Sequence, residues 1–124
     1  MKGIKRVAGL VIACSLVLAC STKKQADGQP AMALIMKTLS NPFFIKMGQG
    51  AQRAADSLAV PLLIGTVAQE IDINQQISLV EDMIVQGVKA ILIAPVDSKA
   101  IVPVLVKAQA QGILIINLDN RIDA

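Results

Sequence analysis

Beyond residue 30, four short apolar runs punctuate the chain, at 31–36, 61–64, 90–94 and 113–116. Each is too short for a helix and is bounded by polar or turn-forming residues, as expected of strands buried on both faces. Between the runs, apolar residues recur at helical spacing. Phe44, Met47, Ala51, Ala54 and Leu58 mark a first helix, Ile73, Ile77, Val80 and Ile84 a second, and Ile101, Leu105 and Ala108 a third. The punctuation agrees: Asn41-Pro42 offers an N-cap and a first-turn proline, Asp72 with Gln75 resembles a capping box, and Gly87 and Gly112 stand where helices stop. Pro103 is the one discord, and it must fall in or near the first turn of the third helix.

Alternation of strand and helix predicts right-handed crossovers and an α/β fold, a three-layer open parallel sheet of order 2-1-3-4. The first helix is expected on one face, the second and third on the other. One helix covers only part of its face, and 113–116 is expected as an unpaired apolar edge. This pattern suits a lobe whose remainder lies outside the 124 residues.

The first thirty residues read differently. Lys2, Lys5 and Arg6 precede an apolar run at 7–19, shorter than the ~20 residues of a membrane-spanning helix, so 1–19 is expected to be an export signal. The alternative is a buried core helix, but no polar stripe interrupts the run. Val17-Leu18-Ala19-Cys20 resembles the bacterial lipobox, which makes Cys20 the expected lipidation site and 20–30 a polar tether. Three of the twelve Lys and Arg fall in the leader, leaving nine against nine Asp and Glu, so the net charge of +3 belongs to the leader. The chain beyond the leader, 20–124, is therefore formally neutral and lacks the electrostatic footprint of nucleic-acid binding. Both cysteines, Cys14 and Cys20, lie in or at the end of the leader, so no disulfide is expected in the body.

In an open parallel sheet, ligands bind beyond the carboxyl ends of the strands, where strand order reverses. That rim is predicted to hold Lys37, Thr38, Asn41, Phe43 and Phe44, then Thr66, Asp97 and Ser98, and finally Asn117, Asp119, Asn120 and Arg121. Planar amide, carboxylate and guanidinium groups make directional bonds to hydroxyls, and aromatic planes pack on the C–H face of a sugar ring. Phe43 and Phe44 are the chain's only aromatic residues. Phe44 also fits the core stripe, Asn41 also fits a helix cap, and Asp97 and Ser98 read first as caps.

Thr38-Leu39-Ser40-Asn41-Pro42-Phe43-Phe44, with Gly50-Ala51-Gln52 and Ala54-Ala55-Asp56, resembles the opening of the ribose-binding type of periplasmic sugar-binding proteins. Ala94-Pro95-Val96-Asp97-Ser98 and Asn117-Leu118-Asp119 resemble later strand ends of the same lobe. The resemblance implies the N-terminal lobe of a binding protein that hands a sugar or polyol to the permease of an ABC importer. It implies hydroxyl contacts from Asn41 and Asp119 and ring packing on Phe43 and Phe44, with no cofactor and no metal. Asn120, where ribose binders carry arginine, and Lys37, where they carry a small polar residue, point away from ribose itself. Arg121 follows one place later and is taken as a candidate contact, as is Lys37.

Enzymatic readings find little support. The chain has no histidine, no Gly-x-Ser-x-Gly elbow and no phosphate-binding loop, and Gly48-Gln49-Gly50 falls inside the first predicted helix. The expected setting is outside the cytoplasm, tethered to a membrane. A sensory module presenting a sugar to a membrane receptor is the alternative.

Overall fold

A computed structural model describes residues 30–123. The leader, nearly all of the tether, Cys20 and Ala124 lie outside the described residues. The elements alternate as expected: β1 (Met32–Met36), α1 (Pro42–Ser57), β2 (Leu62–Thr66), α2 (Ile73–Val85), β3 (Ala90–Ile93), α3 (Val102–Ala110) and β4 (Leu114–Asn117). All pairings are parallel and the order is β2-β1-β3-β4. Pro103 sits in the first turn of α3, where its missing N–H costs nothing.

The pleat of β1 divides the core. Ala33 and Ile35, with Ile91 and Ile93 of β3, face Val80, Met83 and Ile84 of α2 and Val104, Leu105 and Ala108 of α3. Leu34 and Met36 face the opposite way and pack with Phe44 of α1 and Ala94, flanked by Met47 and Ala51. Gly48 is what lets α1 approach this closely, since a Cβ there would stand 3.1 Å from the Met36 methyl. The buried line of α1 therefore runs Phe44, Gly48, Ala55. Ala54 and Leu58, placed on the stripe by their spacing, face solvent instead, with Leu58 70% exposed.

α1 covers its face only in part. On that side Ile64 is 42% exposed, Leu114 61% and Ile116 38%. Their register partners are Leu34, Ala90 and Leu92, so the uncovered apolar surface continues the covered one towards both edges of the sheet.

Helices α1, α2 and α3 end in the same device. After the C-cap, a left-handed residue donates to the carbonyl three positions back, and the following N–H reaches back five. The pairs are Ala59→Asp56 and Val60→Ala55, Gly87→Ile84 and Val88→Met83, and Gly112→Gln109 and Ile113→Ala108. These are Schellman motifs. Gly87 and Gly112 take φ +71° and +79° freely, whereas Ala59 holds φ +53° against its Cβ.

Replacing Ala59 by glycine is expected to stabilise the fold by about 0.5–1 kcal/mol, the relieved left-handed strain outweighing the added freedom of the unfolded chain. Gly87→Ala should destabilise by about 1 kcal/mol for the same reason with the sign reversed. Urea unfolding monitored by far-UV circular dichroism measures both. Equal midpoints for wild type and Ala59→Gly would show that the relieved strain only offsets the added freedom of the unfolded chain, and the predicted gain would be wrong.

Candidate functional site

Because all four strands run in parallel, their carboxyl ends share one rim, and the chain leaves β1 and β4 towards the same side of the sheet. The order reverses at β1, which has β2 on one side and β3 on the other. Helix α1 begins there. Asn41 caps it, its Oδ1 accepting from the Phe43 N–H at 3.0 Å, while its Nδ2 donates to Glu70 Oε1 at 3.3 Å. Asn41 thus ties the start of α1 to the loop between β2 and α2.

Lys37, the residue after β1, reaches across the rim to Asp119 beyond β4, with Nζ 3.1 Å from Oδ2. The two side chains are 13% and 29% exposed, less than the 56% and 49% of the Lys107–Glu81 pair between α3 and α2. A pair as open as Lys107–Glu81 contributes about 0.2–1 kcal/mol. Lys37 and Asp119 are less screened, and removing either leaves a partly buried charge without its partner. The Lys37 ammonium also lies 5.8 Å from the centre of the Phe44 ring.

Phe44 is core, 2% exposed, and serves the rim from beneath. Phe43 stands over it, ring centres 5.1 Å apart and planes at 77°, an edge-to-face contact worth about 0.5–1.5 kcal/mol. Phe43 itself is 52% exposed and presents a held aromatic surface to solvent. Thr38 is buried and braces the same loop, its Oγ1 accepting from the Ser40 N–H at 3.1 Å.

Asp119 adopts φ +60°, a conformation that aspartate tolerates better than most residues but that still costs about 1 kcal/mol. Lys37, Phe44, Phe43, Asn41 and Asp119 therefore form linked neighbours around one end of the sheet. Arg121 is not among the partners of this group. It lines a separate groove of about 290 Å³ together with Val102, Leu105 and Gln109 of α3, Ile115 and Asn117 of β4, and Ile122. The extra residue between Asp119 and Arg121 carries the guanidinium round the turn towards the α3 side.

Two amides organise the rim: Gln76, which the sequence pattern does not single out, and Asn117, which it places there without a bonding role. Gln76 of α2 is fully buried, and its Nε2 donates to Ala94 O at 3.0 Å while its Oε1 accepts from the Val96 N–H at 2.8 Å. Asn117 spans the turn that contains Asp119. Gln75 departs from the capping-box expectation: Asp72 accepts from its N–H at 3.0 Å, but its side chain accepts from the Ala68 N–H at 2.7 Å instead of returning to Asp72. Among the described residues no three acidic, histidine or cysteine side chains gather to hold a metal.

The periplasmic binding protein domain matches residues 32–124. The chain belongs to that family. It is similar to the D-ribose/D-allose-binding protein of Pseudomonas aeruginosa, 42% identical over 97% of this chain and 41% of that protein. Similarity extends to the ribose import binding protein RbsB of Escherichia coli, 33% identical over 95% of this chain and 38% of that protein. Among solved structures, an ABC transporter periplasmic solute binding protein from Actinobacillus succinogenes with bound D-allose matches with a TM-score of 0.74 and 45% identity, covering 77% of this chain and 34% of that one. The chain therefore spans about two fifths of the length of these curated relatives. These relatives are named as binding or import proteins.

Asp97 and Ser98 resolve as turn-holders. Asp97 Oδ1 accepts from the Lys99 and Ala100 N–H groups, both at 2.8 Å, and Ser98 Oγ donates to Asp123 at 3.1 Å. The Ala100 N–H, with that of Lys99, holds the Asp97 carboxyl below its ordinary 3.8. A depressed value means that this turn gains its stabilisation above pH 3.8 and loses it as pH falls through the folded value. The Lys99 and Ala100 amide proton shifts, followed by NMR, should therefore titrate together with a midpoint below 3.8. A midpoint at or above it would remove Asp97 as their acceptor.

Proposed function

We propose that this chain forms the first sugar-binding lobe of an exported lipoprotein that delivers a monosaccharide to an ABC importer. The observation that carries the reading is the Lys37–Asp119 pair joined through Phe44 to the exposed Phe43 ring, with β1, where strand order reverses, supplying Lys37. An aromatic plane next to a matched cation and carboxylate suits a neutral polyhydroxylated ring, with the C–H face against the ring and hydroxyls at Asp119, Lys37 and Asn41. Phe44 supports Phe43 from below. Arg121 is a secondary candidate, reaching the ligand only if the turn after Asp119 rearranges.

D-allose is the first candidate ligand and D-ribose the second, following the relatives' names and bound sugar. Delivery to an importer is favoured over sensing, because the Escherichia coli relative is named for import. A single lobe touches one side of a sugar, so full affinity is expected once the chain is continued by the remaining portion of the Pseudomonas aeruginosa relative.

In that joined protein, calorimetric titration should show D-allose binding that Asp119→Ala weakens about ten- to a hundredfold, the loss of a charge-assisted hydrogen bond. Phe43→Ala should weaken binding of every accepted sugar without altering their ranking, and Glu81→Ala on the far helix face should change nothing. Failure of D-allose, D-ribose and related pentoses and hexoses to bind, or an Asp119→Ala protein as tight as wild type, would overturn the sugar site.

The anchor is tested separately. Expressed in a bacterial host with its leader, the mature protein should begin at Cys20 and carry the mass of attached acyl chains. A mature N-terminus elsewhere, without lipid, would exclude the lipoprotein reading.

A further inference from the structure

We propose that Asn117 is the positioning residue for Asp119. It is the last residue of β4 and is exposed, yet its side-chain hydrogen bonds among the described residues all go to the turn that follows. Its Nδ2 donates to Leu118 O at 3.1 Å and to Asn120 O at 2.8 Å, and its Oδ1 accepts from the Ile122 N–H at 2.9 Å. These three bonds bracket Asp119 on both sides.

The ends of the turn are fixed by other means. Leu118 donates its N–H to Ile93 O at 2.8 Å and packs against the α1-side core, and the Asp123 N–H reaches Ser98 O at 3.1 Å. Between these anchors the backbone must hold a left-handed aspartate. The Lys37 ammonium cannot impose that, because it ends a flexible stem and touches only the carboxylate. The Asn117 amide supplies donors and an acceptor in one rigid plane, directed at the carbonyls and N–H that define the turn. Asn117 itself stays off the ligand, and its effect passes through the placement of Asp119.

The consequence for binding rests on the sugar reading above, while the consequence for the Lys37–Asp119 pair does not. The full chain, labelled with 15N at lysine, should show a Lys37 Hζ–Nζ correlation held in place by Asp119. Asn117→Ala should move it to the position of a free lysine, and Asn117→Asp, which keeps the acceptor and loses both donors, should move it part of the way. D-allose affinity, titrated on the joined protein described above, should fall about ten- to thirtyfold in Asn117→Ala. In an Asp119→Ala background the same substitution should cost less than twofold, because nothing is left to position.

An unchanged Lys37 signal in both Asn117 variants would overturn the proposal. So would an affinity loss that persists undiminished without Asp119, since that marks either a direct ligand contact or general damage to the lobe. Should Asn117→Ala not fold, Asn117→Thr is read by the same criteria. If the wild-type protein binds no sugar, the ligand reading fails alone and the Lys37 signal decides the role of Asn117.

Discussion

Strand β1 is hydrogen-bonded along both edges and packed on both faces, and the rest of the lobe is arranged around that double demand. Its N–H and C=O groups are satisfied by β2 and β3, and its alternating side chains need two separate apolar layers. Parallel pairing on both sides requires crossovers, and their fixed hand sends α1 to one face and α2 and α3 to the other. The reversal of order at β1 then parts the loops at its carboxyl end. The opening left there is where Lys37, Asn41 and Phe43 stand.

Much of this was legible in the sequence because each feature has a local cause. Runs of Ile, Leu, Val and Ala between turn residues can bury themselves only as strands, and Asn41-Pro42, Asp72, Gly87 and Gly112 mark helix ends by the conformations they favour. What stayed hidden had non-local causes. Ala54 and Leu58 kept helical spacing yet face outward, because the contact of α1 with the sheet is centred on Gly48 and Met36, a pairing across layers that periodicity does not encode. Ala59 gave no sign of its left-handed conformation, since nothing in alanine favours it and the capping bonds of α1 impose it.

The placement of the candidate site residues was readable to a similar depth. Asn41, Phe43 and Asp119 are marked by being polar or aromatic at predicted strand ends, and the structure places them on one rim. The Lys37–Asp119 bond spans 82 positions, a separation over which charge pairing leaves no pattern in the chain. Gln76, and the bonding role of Asn117 on the rim where the sequence placed it, are harder still. An amide reads as a surface residue, and only the folded backbone shows that one is buried against the β3 loop and the other closes the turn after β4.

The three Schellman ends lie where helices hand over to the amino ends of β2, β3 and β4, opposite the rim. The turns that terminate helices and the loops of the candidate site are thus at opposite poles of the sheet, with four or five residues of strand between them. Selection for robustness and selection for a new substrate consequently act on different residues. A lineage carrying this lobe can exchange the side chains of one pole while the other continues to terminate its helices, so recognition is free to diverge on a scaffold that does not have to change with it.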